Sequence, residues 1–438
     1  MREAERYLAD RAWVEGAWRS RVLLVADAGG SWSKIRPECP AGDANDARRL
    51  AGAALPGMVD AHSHAFQHAI AGITETLPSG RTDTFWSWRD RMYKVALSLR
   101  PQQLEDIAAT LYAQLLQGGY THVCEFHYLH NDLDGRPYAD PQEMAMALVR
   151  AARRAGIGLT LLPTLYMRSG FGAAGLRPDQ RRFASTPEGV LRLAEAVRAL
   201  GGATLTAGVA LHSLRAVDEG ALRETAQAAR AMGMPVHLHV AEQQQEVDDC
   251  VARHGLRPIE WLLDNVAMDA SWNLVHATQA TEEELLVVRR CGASIVICPT
   301  TEANLGDGVF DLVTWLRARG SWSIGSDSNV CRGWAEELRL LEYSQRLVHR
   351  RRNVAAEAAG ASSTATVLFD GAIGGGSAAS GLPMAGFIQG SRADVCLLPA
   401  TDAPDALASA VFTSPAAAAR AVVVAGRPLA APSSASLT

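Results

Sequence analysis

The chain has 438 residues, 48% hydrophobic and 20% charged, which is enough to bury one large core or two or three smaller ones. A formal net charge of -5 and the absence of any Lys/Arg run argue against a nucleic-acid binder. No window reads as a signal peptide or a membrane span, and the 7 cysteines form no Cys-x-x-Cys pair, so reduced thiols, no membrane partner and a cytoplasmic location are expected.

Residues 1–54 hold short strand-like pieces such as Arg21-Val22-Leu23-Leu24-Val25 between Gly, Asp and Pro, and predict a few antiparallel strands. From Leu55 a rhythm of apolar run, polar loop and helical stretch sets in. The runs lie at 57–64, 121–128, 158–166, 205–214, 235–241, 272–278, 293–299 and 322–328. Between the first two, residues 101–116 carry apolar positions at helical spacing, opened by Pro101 and closed by Gly118-Gly119. Strands alternating with helices pair in parallel, and this repeat predicts a TIM-like (β/α)8 barrel over 55–372. A doubly wound open sheet is the alternative, although no Gly-x-Gly-x-x-Gly follows the first run. After 372 come small residues, Gly374-Gly375-Gly376-Ser377-Ala378-Ala379-Ser380-Gly381, then strand-like pieces at 393–398 and 421–424. We expect 1–54 and 373–438 to form one small β-sandwich domain built from both termini, with the Ala/Ser-rich tail 430–438 frayed.

A barrel of this kind displays its reactive groups where its strands end. The first run ends in His62 and His64, two positions apart and therefore on one face of a strand. The second ends in Glu125, His127 and Tyr128, the fourth in His212 and Arg215, the fifth in His239 and Glu242, the sixth in His276 and the eighth in Asp327. Any one of these has an ordinary structural explanation, such as a buried His on a carbonyl or an Asp capping a helix. Six strand ends obeying one geometric rule do not. His62, His64, His239 and Asp327 offer three imidazoles and a carboxylate, a set that suits Zn2+ or another divalent ion and leaves room for a water. Binding lowers the pKa of that water from 15.7 to about 7. Glu242 is a candidate proton shuttle, and His276 can hydrogen-bond the attacking water or the developing tetrahedral centre. His237, one layer deeper on the face of His239, is expected in the core, and His68, His122, His130, His254 and His349 have no comparable placement.

These features resemble the amidohydrolase superfamily, and Leu211-His212-Ser213, without a lysine at the end of strand four, resembles its mononuclear deaminase branch. His62-Ser63-His64-Ala65-Phe66-Gln67, Glu125-Phe126-His127-Tyr128, the motif from Leu211 to Val217, the motif from His239 to Val247 and Thr301-Glu302-Ala303-Asn304-Leu305-Gly306-Asp307-Gly308 are similar to the formimidoylglutamate deiminases. The likeness runs from about residue 10 to 430. It implies one zinc ion on His62, His64, His239 and Asp327, and proton transfer by Glu242, His276 and Asp327. It further implies that Gln67, Arg89, Tyr128, His212 and Arg215 hold the two carboxylates of a small-molecule substrate, N-formimino-L-glutamate. That role agrees with the need of a dicarboxylate for a bidentate guanidinium and neutral donors. The implied reaction is hydrolytic deimination to N-formyl-L-glutamate and ammonia in histidine degradation, by a homodimer in which Arg89 reaches a neighbouring subunit's site. The alternative is a deaminase for another formimino amino acid, an amidine or an aminated heterocycle. Three positions depart from the family pattern. Asn329 stands where the family carries His, His68 where it carries Arg, and Val330-Cys331-Arg332-Gly333-Trp334 is unlike the family's loop. The first is expected to alter the surroundings of the metal ligands and the last to bear on specificity.

Overall fold

Runs of β-branched and aliphatic residues that are buried on both faces satisfy their backbone best by pairing in parallel with one another. The computed structural model, which describes residues 4–77, 82–399, 403–413 and 419–429, turns every one of the expected runs into a strand. In order they are Met58–Ser63, Tyr120–His127, Gly158–Leu165, Leu205–Ala207 with Val209–Ser213, Val236–Val240, Trp272–His276, Ser294–Ile297 and Ser321–Ile324. The fourth is broken at Gly208, where an added Cβ would lie 2.5 Å from the Pro235 carbonyl oxygen. Each strand pairs in parallel with the next.

Closure occurs between the end of strand one and the residues after strand eight. The Asp327 N–H donates to the His62 carbonyl at 2.8 Å, and the His64 N–H donates to the Asp327 carbonyl at 3.0 Å. A parallel bridge joins Ser63 to Asp327. The sheet therefore curls into a barrel, and the open doubly wound alternative is excluded. The expected helix at 101–116 is Pro101–Gln117, with Leu104, Ala108, Leu111, Tyr112 and Leu115 on its buried face. Among the described residues no helix is long and apolar enough to cross a membrane. The cysteines are free thiols, and all but Cys291 are buried.

Both termini contribute to a second sheet, of seven strands. Glu5–Val14, Ala17–Ala26, Trp32–Arg36 and Arg48–Pro56 come from the N-terminal side, and Val395–Leu397, Ala421–Val424 and Arg427–Leu429 from the C-terminal side. The halves join where Val395–Leu397 runs antiparallel to Arg48–Pro56, over a core that includes Tyr7, Leu24, Trp32 and Phe387. The tail 430–438, expected to fray, lies outside the described residues.

The glycine-rich stretch forms the second half of a helix, Thr364–Ser380, that packs on the first and eighth barrel strands. Glycine is used there for close approach. A Cβ on Gly375 would stand 2.0 Å from the Trp322 carbonyl oxygen, and one on Gly371 would stand 2.6 Å from the Trp322 ring. The glycines cost helix propensity of about 1 kcal/mol each, and close packing against the barrel outweighs it. Gly375→Ala should therefore destabilise the protein by roughly 1–3 kcal/mol although alanine is the better helix former. Chemical denaturation measures it, and a stabilised variant would show that the helix does not sit this close.

Candidate active site

The ends of the barrel strands converge on one cleft. Strand one delivers His62 and His64 side by side, their ring centroids 4.7 Å apart. Strand five brings His239 across the barrel, so that its Nε2 lies 3.0 Å from His62 Nε2. Asp327, held at the closing seam, sets Oδ1 at 3.4 Å from Nε2 of both His62 and His64. His276 Nε2, at the end of strand six, is 3.7 Å from Asp327 Oδ2 and 3.7 Å from Glu242 Oε1.

The donor chemistry fits a cation. Nδ1 of His64 faces the Phe126 carbonyl at 3.0 Å, and Nδ1 of His239 faces the His212 carbonyl at 2.9 Å. A carbonyl only accepts, so both rings carry their proton on Nδ1 and turn the Nε2 lone pair inward. Burial pushes His62 down to about 3 and also lowers His64 and His239, so the three imidazoles are neutral. Burial would raise Asp327, but the hydrogen bond from His62 and the facing histidines hold it well below the usual carboxylate range. Neutral imidazoles within 4.8 Å of one another beside an ionised carboxylate form a donor set for a divalent ion.

The rest of the cleft presents two guanidiniums and several neutral polar groups. Gln67, Arg89, Tyr128, His212 and Arg215 all line it, beside His64, His239, Glu242, His276 and Asp327. Gln67 Nε2 donates to the Tyr128 hydroxyl at 3.2 Å. Arg215 is buried, and its Nη1 finds no hydrogen-bond partner among the described residues; Nε of Arg89 is likewise unpartnered. Arg89 comes from this chain's own helix Phe85–Ala96, with its guanidinium 4.4 Å from the Trp86 ring and 5.5 Å from that of Tyr93. It lines the cleft of its own chain. The same helix supplies Phe85, Trp88, Met92 and Tyr93 to the wall. The sequence pointed to Arg89 alone in this segment, which carries no strand-end position to single out its neighbours.

Some expected residues are diverted. Glu125 does not line the cleft; its carboxylate accepts the Ala65 N–H at 2.6 Å and the Tyr112 hydroxyl at 3.1 Å, bracing the loop after strand one. His127 is buried beside His130, away from the cleft. His237 is a core residue, with Nε2 2.9 Å from the Ala379 carbonyl. Burial raises Glu242, which Asp327 reinforces and His276 opposes, so its carboxyl can hold a proton near neutrality. Glu302, quoted only as part of a motif, stands 3.3 Å from His276 Nδ1.

The departures from the family pattern fall outside the residues that line the cleft. Asn329 adopts φ 63, a left-handed conformation that Asn tolerates. Its Nδ2 donates to the His64 carbonyl at 3.0 Å and the Asp327 carbonyl at 2.9 Å, and its Oδ1 accepts the Ser326 hydroxyl at 2.9 Å. No residue of 330–334, and neither His68 nor Asn329, is among those lining the cleft.

Comparison with known proteins gives a consistent picture. The profile described as "Amidohydrolase family" matches residues 53–428. A formimidoylglutamate deiminase of Pseudomonas aeruginosa (strain PAO1) is 46% identical over 395 residues, 90% of this chain and 86% of that protein. The crystal structure of an amidohydrolase from Brucella melitensis superposes with a TM-score of 0.89 at 44% identity, over 97% of this chain and 94% of that one. An adenosine deaminase from Xanthomonas campestris with bound zinc shares the fold, with a TM-score of 0.78 at 22% identity over 97% of this chain and 92% of that one.

Asn329→Ala should lower stability by roughly 1–3 kcal/mol by leaving buried partners unpaired, and weaken metal affinity about 10- to 100-fold. Denaturation and a zinc competition titration check both; an unchanged metal affinity would show that the ligands hold their places without it.

Proposed function

The chain belongs to the amidohydrolase family, and from that premise we propose that it hydrolyses N-formimino-L-glutamate to N-formyl-L-glutamate and ammonia, a step of histidine degradation. The observation that carries the substrate is the pair of arginines, Arg89 and Arg215, each with an unpartnered nitrogen in the same cleft as the imidazole cluster. A neutral heterocycle would leave both guanidiniums unmatched, whereas a dicarboxylate answers them. The relative named formimidoylglutamate deiminase, similar along nearly the whole chain, points the same way.

In this reading His62, His64, His239 and Asp327 would hold one divalent ion, zinc, whose Lewis acidity would activate a water. Arg215 takes one substrate carboxylate in its buried guanidinium, with His212 and Tyr128 as neutral donors, and Arg89 and Gln67 take the other. Together they press the formimino carbon toward the imidazole cluster. Asp327 Oδ2 accepts the proton of the attacking water, next to His276 Nε2, which hydrogen-bonds the developing tetrahedral centre. Glu242, whose carboxyl is raised by burial, passes a proton to the departing nitrogen. Water adds to the C=N carbon, the C–N bond to the terminal nitrogen breaks, and ammonia leaves with the transferred protons. The homodimer and the cytoplasmic location belong to the same reading and rest on the resemblance to enzymes of amino-acid breakdown; size-exclusion chromatography with light scattering tests the dimer.

The decisive test is ammonia release from N-formimino-L-glutamate by the purified protein, before and after chelation and zinc return. Release that is lost on chelation and restored by zinc is expected, and silence from zinc-loaded protein would reject the substrate. Asp327→Asn should lower kcat roughly a thousandfold. Arg215→Met should raise KM roughly 10- to 200-fold, the cost of a hydrogen bond to a charged group; an unchanged KM would remove Arg215 from the carboxylate site.

A further inference from the structure

His276 is held differently from His64 and His239. Nδ1 of His64 and of His239 each meets a backbone carbonyl, but Nδ1 of His276 meets a side chain, the Glu302 carboxylate at 3.3 Å. Glu302 is buried at 4% exposure in the short helix Pro299–Leu305, which follows strand seven. Its Oε1 also accepts the Cys298 N–H at 2.9 Å, so the carboxylate is anchored to the backbone before it reaches the imidazole. The backbone beneath His276 is strained, with φ 70 at His276 and φ 50 at Ala277. The ring lies nearly parallel to that of His239, at 13° with centroids 5.5 Å apart. Its only hydrogen-bond partner within 3.5 Å among the described residues is Glu302, since Nε2 is 3.7 Å from both Glu242 and Asp327.

We propose that Glu302 is a positioning residue for the reaction: by accepting from Nδ1 of His276 it fixes the ring's rotation, so that Nε2 is the nitrogen presented to the reacting atoms. The proposal rests on the function above for its kinetic arm only. With Nδ1 tied to this anchored carboxyl group, Nε2 is turned toward Glu242 and Asp327. Without that partner the ring is free to turn away from its stacked position over His239. The same helix braces the other side of the centre. The Thr301 hydroxyl donates to the Ser326 carbonyl at 3.3 Å and accepts the Ser328 N–H at 3.2 Å, on either side of Asp327. One short element thus sets the aim of two groups that must act on the same atom.

The test uses the zinc-loaded full chain with histidine labelled by 15N in the ring. In the wild type, a hydrogen-bonded His276 Nδ1–H proton should resonate far downfield, assigned by its absence in His276→Gln. In Glu302→Ala that signal should vanish, and in Glu302→Gln it should move upfield as the neutral amide replaces the carboxylate. Glu302→Gln keeps the shape and can still accept the Cys298 N–H, so it decides the matter if the alanine variant does not fold. With N-formimino-L-glutamate, kcat should fall about 10- to 100-fold in Glu302→Gln while KM stays within about threefold, as for the loss of an orienting partner. An unchanged His276 signal in both variants, an unchanged kcat, or a loss confined to KM or to thermal stability would overturn the proposal. A wild type that does not turn over this substrate would reject the function instead, and the resonance would still decide the role of Glu302.

Discussion

The structure depends on the seam that closes the barrel. Two backbone hydrogen bonds between the ends of strands one and eight bring Asp327 between His62 and His64, and without that closure the carboxylate and the imidazoles would belong to opposite edges of an open sheet. Closing the sheet and assembling the proposed metal ligands are the same event. Asn329 and Asp60 reinforce it from the two sides. Asn329 bridges the carbonyls of His64 and Asp327, while the Asp60 carboxylate receives both the N–H and the hydroxyl of Ser326 at 2.9 and 2.6 Å. Burial pushes Asp60 up to about 7, which marks how deep in the barrel this polar contact lies.

A second pattern repeats around the mouth of the barrel. The chain leaves its strands through residues with left-handed backbone, among them Ala241 at φ 51, His276 at φ 70 and Asp327 at φ 48. Several N–H groups in the loops beyond the strand ends lie outside the sheet ladder, and a buried N–H without a partner is costly. Acidic side chains supply several of the partners. Glu125 receives Ala65, Glu246 receives Ala241 and Glu242, Glu302 receives Cys298, and Glu337 receives Thr300. The loops bearing reactive groups are therefore held by carboxylates that do not line the cleft, which lets the side chains above them keep strained but reproducible directions.

The arginine-bearing half of the cleft has a different origin. Helix Phe85–Ala96 lies outside the strand-and-helix repeat and lays Phe85, Trp86 and Tyr93 against the two guanidiniums. Aromatic faces hold a cation in place without consuming its hydrogen-bond donors, so Arg89 and Arg215 keep donors to offer a ligand.

Much of this was legible in the sequence. The alternation of apolar runs with helical stretches determined the barrel, and the rule that reactive groups sit at strand ends picked out His62, His64, His239, Glu242, His276 and Asp327, because both depend on local periodicity. Only the tertiary structure decided that Gly371 and Gly375 press on Trp322 and Gly376 on Val59 from one helix, since there the close approach of the barrel strands and not local propensity selects glycine. It alone turned Glu125 into a brace and Arg89 inward, and brought Glu302 to His276 from 26 residues away. Periodicity reports the conformation of a segment and the face it buries. Which polar atoms meet depends on how loops from separate strands stack over the closed barrel, and that relation exists only once the sheet has closed.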